Sequence, residues 1–335
     1  MTPKPAVPAP EVRASSLDTR RRWRDVALLG GLFVLVIAGL VSLAAATGWE
    51  ETRAQLMKLG LPQIIALLAL SGANYLLRGL RWHVCARRLG LSTGLGQNLR
   101  HFLGGFAMSV TPGRLGELVR MRWLRRETGW PVERTAPLAL VDRAGDLAAM
   151  ALLLALSLAL AASGIAFALP VALASLAAAW VATRPRLLAQ ITTLTYRATG
   201  LAPRLMGRLR RSARSLALFS SFPVAAGAIA LGLAGWAAEG YAFHLLLVWM
   251  GADLGLAKAV AIFTFSTLAG GLTGAPGGVG GAEAAMIALL SLDGIPLEVS
   301  IPATAIIRVT TLWFAIGIGL LIFPVAERLS RKAGP

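Results

Sequence analysis

The sequence predicts an all-α polytopic membrane protein, with about six full spans and two re-entrant helical hairpins that form an inverted repeat. Three observations carry this. Hydrophobic residues make up 56% of the 335 residues and charged residues 15%, with mean hydropathy +0.68. Soluble domains carry about 25% charged residues, so this chain has too little polar surface to cover a water-soluble globule. Six runs come close to or exceed the roughly 20 apolar residues that a bilayer crossing needs. Two further apolar segments are interrupted by Pro and Gly.

Residues 1–25 read as a disordered, basic cytoplasmic N-terminus: 1–19 are rich in Pro and Ala, and Arg20-Arg21-Arg22-Trp23-Arg24 leads into the first apolar run without a signal-peptide cleavage site. The spans are expected at 26–47, 62–82, 135–161, 164–182, 223–250 and 299–324, inside a transmembrane domain over 26–325. A cytoplasmic tail over 326–335 closes the chain. The segment 97–124 is broken by Thr111-Pro112-Gly113-Arg114-Leu115-Gly116-Glu117. The segment 257–292 is broken by Thr273-Gly274-Ala275-Pro276-Gly277-Gly278-Val279-Gly280-Gly281. Each arm is too short for a full crossing, and broken backbone is tolerated at membrane depth only inside protein or beside a wet cavity.

The net charge is +17, from 33 Lys and Arg against 16 Asp and Glu. No stacking aromatics accompany the basic runs, so nucleic acid is excluded as a partner. The basic residues fall between the apolar runs and set orientation. Segment 183–222 holds Arg184, Arg186, Arg197, Arg204, Arg208, Arg210, Arg211 and Arg214 and no acid, while 48–61 and 251–298 hold only Arg53, Lys58 and Lys258. This asymmetry predicts a bacterial inner (plasma) membrane protein with both termini cytoplasmic, provided both hairpins return to their starting side. Segment 183–222 reads either as a solvated linker or as a helix on the anionic leaflet.

The halves echo each other at an offset of 164, the distance from Pro112 to Pro276. Repeat units of about 62–161 and 223–324 are joined by span 164–182 and the basic segment 183–222. Three spans separate the two starting points, so the units are expected to point in opposite directions across the membrane, as in secondary transporters with a midplane site.

Charges inside spans are costly and mark candidate sites. Asp142, Arg143 and Asp146 share the first half of one span, with Asp142 and Asp146 on one face and Arg143 spaced to pair with Asp146. Glu239 lies 16 residues past Pro223, roughly 24 Å along a helix. Arg308 sits in the last span, and Arg78 and Arg81 at the inner end of the second. These groups either pair to hold helices together, snorkel to the interface, or meet a substrate. At the breaks, Pro112, Gly113 and Arg114 precede one helix start, and Pro276, Gly277, Gly278 and Gly280 precede another. Free N–H groups at helix starts suit an anion such as phosphate, and Arg114 and Arg308 add charge. Glu117 and Glu283 lie just inside the starts, as caps or as site residues. Trp82 and Trp180 fall near span ends as interface anchors, while Trp236 lies deeper, as packing. His83, His101 and His244 lack metal-ligand spacing, the single Cys85 excludes an intrachain disulfide, and no GxxxxGK[ST] run occurs. No metal, cofactor or catalytic residue is expected, and the chain is not expected to be an enzyme.

Arg78-Gly79-Leu80-Arg81-Trp82, Pro112-Gly113-Arg114-Leu115-Gly116-Glu117-Leu118-Val119-Arg120, Asp142-Arg143-Ala144-Gly145-Asp146 and Pro276-Gly277-Gly278-Val279-Gly280-Gly281-Ala282-Glu283 occur in this order. Over roughly 25–325 the chain resembles the lysylphosphatidylglycerol synthase transmembrane region, also called the flippase-like domain family. It departs from the pattern at the second glycine motif, where Gly281-Ala282 puts one extra residue before Glu283. The resemblance implies flippase- or scramblase-like movement of a phospholipid, or another polar lipid, between leaflets. The implied partners are a phospholipid head group, a second copy of the chain in a homo-oligomer, and a separate synthase. The sequence ends at Pro335, so no synthase domain is expected on it. Alternatives are a carrier of a small soluble anion, an embedded lipid-linked transferase, or a scaffold subunit.

Overall fold

A computed structural model describes residues 57–109, 115–161, 168–184, 222–273 and 275–333, with isolated positions between 34 and 54 and between 187 and 194. The expected span 26–47, most of the basic segment 183–222, and Pro112, Gly113 and Arg114 lie outside the described residues.

The first described helix, α1, runs Leu61–Arg88. Pro62 stands in its first turn, where the missing N–H costs nothing. Next come α2 (Leu95–Gly104), which tightens into a 3-10 turn at Gly105–Met108, and α3 (Leu115–Thr128). Pro131 caps α4 (Val132–Leu160), and α5 follows over Ala168–Thr183. The second half repeats this order of long, short, short and long. It comprises α6 (Phe222–Trp249), α7 (Leu256–Leu272), α8 (Gly281–Leu292) and α9 (Leu297–Arg308), which continues through a π segment at Val309–Trp313 into α10 (Phe314–Ala333).

Four helices are long and apolar enough to cross a membrane: Leu61–Arg88, Val132–Leu160, Pro223–Trp249 and Leu297–Ala333. The protein is therefore an all-helical membrane protein among its described residues. The expected span 164–182 appears as the shorter α5. Pro324 does not end the last helix. The helix carries it internally and runs on to Ala333, so the expected tail is mostly helical. The carboxylate of Glu327, 5% exposed, is the reason: it accepts hydrogen bonds from Arg122, Trp123 and Arg126 of α3 and from Arg331.

The halves interlock. α1 packs along α6 at the centre, α2 and α3 pack on α10, and α7 packs on α4 and α6. The close approaches use glycine. A Cβ at Gly319 of α10 would stand 2.2 Å from the Ala107 nitrogen, and one at Gly116 2.4 Å from the Gly105 carbonyl oxygen. α7 and α8 pack against each other, with the Gly270 backbone on Ala282. Between them Gly277, Gly278 and Gly280 take φ values of 66, 67 and 84°, which other residues reach only with strain. A second lock joins α2 to α3. Glu127 accepts from Arg100 at 2.7 Å and from Gln97, with buried His101 Nε2 3.0 Å away. Burial works to raise the Glu127 carboxyl, but His101, Gln97 and Arg100 hold it below the usual carboxylate range.

One apolar cluster gathers Trp82, Phe102, Phe106 and Leu138, and a larger one Phe243, Leu246, Phe263 and Met286. Charged residues collect between them.

Candidate functional site

On α1 the buried Ser71, Asn74, Tyr75, Arg78, Arg81 and Cys85 recur every three or four residues. That spacing draws one polar stripe down the inner face of an otherwise apolar helix. Its Arg78 and Arg81 end faces the Asp142–Asp146 turn of α4. Arg78 Nη2 donates to Asp146 Oδ2 at 2.6 Å. Arg81 Nη2 donates to Asp142 Oδ1 at 2.6 Å and to Asp146 Oδ1 at 2.7 Å. Arg81 fits because Gly145 and Gly232 leave it room: Cβ atoms there would stand 3.1 and 2.9 Å from Nη1. Arg143 Nε lies 2.6 Å from Glu117 Oε1, and its Nη1 3.6 Å from Asp146 Oδ2. Arg78 and Arg81, 8% and 1% exposed, are thus ion-paired inside the fold and do not snorkel.

At the glycine turn, Glu283 caps α8 by accepting from the Gly280 N–H at 2.7 Å, and it accepts from Arg308 Nε at 2.6 Å. Arg308 Nη2 also donates to the Gly277 carbonyl at 3.1 Å. Glu283 is therefore both a cap and the partner of Arg308, despite the extra residue before it. The last long helix bends its ladder here. The π segment begins one residue after Arg308, and the Tyr75 hydroxyl donates to the Thr311 carbonyl within it.

A cavity of about 440 Å³ lies where these elements meet. Arg78, Glu117, Arg143, Asp146, Glu239, Gly277, Gly278 and Arg308 all line it. Five helices and the glycine turn thus bring sequence-distant charges to one wall. Arg81, Asp142, Gly280 and Glu283 stand behind it, holding the lining residues. Pro276 belongs to the turn.

Two further residues change the reading of this wall. Arg120, on α3, lines the cavity and is 2% exposed. Its guanidinium sits 4.4 Å from the Phe102 ring centroid, with the Trp82 ring at 5.3 Å and the Phe106 ring at 5.6 Å. The nearest carboxylate is Asp142, 3.7 Å from Nη1, and Nε and Nη1 make no hydrogen bond. Gly105 makes space for it, since a Cβ there would stand 2.2 Å from Arg120 Nε. Trp236 donates to Asp146 Oδ1 at 3.3 Å and stacks under Arg78. Neither is among the expected site residues: Arg120 falls on the second arm of 97–124 and in the family motif, and Trp236 reads as packing. The spacing of three from Glu117 is the signal that puts Arg120 on the cavity face. Trp82, expected at an interface, is fully buried beneath Arg120.

The arginines of the wall now separate into two kinds. Arg78, Arg81, Arg143 and Arg308 each have a carboxylate at 2.6 Å. Arg120 does not. Glu239 is the counterpart among the acids. It is 4% exposed, lines the cavity, and has no ion-pair partner among the described residues. The opposite side of α4 is unlike this wall. Val141, Ala144, Gly145, Ala148 and Leu152 border an apolar groove of about 530 Å³, shared with α5 and α6 and ending at Trp180 and Arg184.

A family model described as the lysylphosphatidylglycerol synthase TM region matches residues 28–319. A UPF0104 membrane protein of Methanothermobacter thermautotrophicus is 29% identical over 102 residues, which span 29% of this chain and 30% of that protein.

Proposed function

The chain belongs to the family of the lysylphosphatidylglycerol synthase transmembrane region, and from that membership we propose that it moves a phospholipid, or another lipid with an anionic head group, between the leaflets of a membrane. The head group enters the cavity while the acyl chains stay outside it. The observation that carries this reading is Arg120, a buried guanidinium with unspent donors beside four arginines that are already paired. A phosphate oxygen accepts the charge-assisted hydrogen bonds for which Arg120 Nε and Nη1 find no acceptor among the described residues. Arg308 and the Gly277-Gly278 turn line the same space. The apolar groove on the far side of α4 supports a lipid over a soluble anion, because it offers an apolar bed outside the polar cavity.

In this reading α2–α3 and α7–α8 are re-entrant hairpins and the two halves form an inverted repeat. The recurring order of helices and the crossed packing of each pair of short helices on the other half support it. The arginine-rich segment 183–222 supports a bacterial inner membrane with cytoplasmic termini. The domain acts as a carrier, with no chemical step of its own.

The test uses full-length protein in liposomes carrying a head-group-labelled phosphatidylglycerol. Arg120→Ala is expected to slow lipid movement roughly 10- to 100-fold, the loss of a hydrogen bond to a charged group, with Arg120→Lys recovering part of it. Unchanged movement in Arg120→Ala, or uptake of inorganic phosphate without any lipid movement, rejects this function.

A further inference from the structure

We propose that Asn74 and Glu239, facing each other where α1 meets α6, form a site for a small monovalent cation, sodium or a proton, that neutralises the lone carboxylate of the cavity. Glu239 is 4% exposed. The charges and hydroxyl that face it are Tyr75 and Arg78 from α1, Asp146 from α4 and Arg308 from α9. Both of those arginines are spent: Arg78 has Asp146 at 2.6 Å and Arg308 has Glu283 at 2.6 Å. Glu239 is left as an uncompensated buried carboxylate, a costly group in a membrane-spanning helix.

Asn74 supplies the second, independent observation. It is fully buried, its amide lies within hydrogen-bonding reach of Glu239, and its Oδ1 accepts no hydrogen bond. A buried amide oxygen without a donor is costly and rare. Space for it is built in, because a Cβ at Gly235 of α6 would stand 2.6 Å from Asn74 Oδ1. An amide oxygen beside a carboxylate is a hard-oxygen ligand set for a small cation. A proton on Glu239 serves the same end by donating to Asn74 Oδ1. Glu239 and Arg120 line the same cavity. On the lipid-moving reading, on which this step alone rests, cation and head group bias each other's binding reciprocally.

The test is equilibrium binding to the full-length purified protein, and it does not depend on transport. For sodium, the probe is radioactive sodium chloride, with choline chloride holding ionic strength. Saturable retention by wild type, weakened about tenfold or more by Glu239→Gln and by Asn74→Leu and recovered in part by Glu239→Asp, supports the site; tenfold is about 1.4 kcal/mol. For a proton, no sodium is retained. The part of the tryptophan emission lost in Trp236→Phe then follows pH with a midpoint that Asn74→Leu shifts and Glu239→Gln removes. The inference is overturned if sodium is not retained and wild type and Glu239→Gln respond to pH alike. It is also overturned if binding appears only with added ethanolamine, which would put a ligand's own ammonium there. Lipid movement is scored separately in liposomes. Its absence with cation binding intact sinks the carrier reading and leaves the site standing.

Discussion

Asp146 and Glu327 are both buried carboxylates that gather arginines, but their arginines differ. The Arg78 and Arg81 side chains around Asp146 are 8% and 1% exposed. Those of Arg122, Arg126 and Arg331 around Glu327 are 47, 32 and 53% exposed. At the Glu327 end water remains available to each guanidinium, so the cluster acts as a clamp between α3 and α10. At Asp146 the Arg78 and Arg81 guanidinium groups are shielded from bulk water, so each pair is needed by its neighbours, and on the proposed reading the surplus charge of Arg120 persists as binding capacity. On that reading burial, not the number of ion pairs, separates a site from a clamp.

The contrast can be broken by mutation. The largest effect is expected from Asp146→Ala, which strands the buried Arg78 guanidinium, leaves Arg81 with Asp142 alone, and should cost about 3–5 kcal/mol in unfolding of the purified protein. Gly105→Ala comes next. Its Cβ would displace Arg120, costing roughly 1–3 kcal/mol and slowing lipid movement more than the stability loss explains. Glu327→Ala should cost about 1–3 kcal/mol, chiefly by leaving the buried Trp123 N–H without its acceptor, with lipid movement retained in the folded fraction. Arg331→Ala should lie within about 1 kcal/mol and shrink further in high salt. If Arg331→Ala proves as costly as Asp146→Ala, burial is not what separates the two regions. Lipid movement that survives Gly105→Ala would show that Arg120 has no special place in the wall.

Much of the fold is legible in the sequence because a bilayer demands it. The runs at 62–82, 135–161 and 223–250 become α1, α4 and α6, and the Pro/Gly break at 273–281 becomes the turn between α7 and α8. The i,i+3 and i,i+4 spacing of Asp142, Arg143 and Asp146 also places them correctly, since helical periodicity is local. Other features are not local. Pro324 reads as a stop because nothing nearby predicts that Glu327 will be held by α3. Arg120, on the second arm of 97–124, is not singled out because its cage of Trp82, Phe102 and Phe106 comes from α1, α2 and the turn after it.

The sequence by itself determined that this chain lives in a membrane, where its helices begin and break, and which charges are too costly to be incidental. Those follow from hydropathy, backbone chemistry and spacing along one helix. Tertiary structure decided which of those charges cancel. Arg81 meets Asp142 across 61 residues, and Arg308 meets Glu283 across 25, leaving Arg120 and Glu239 over. Which charge is left unmatched depends on distances between helices, and those are fixed only when the two halves interlock.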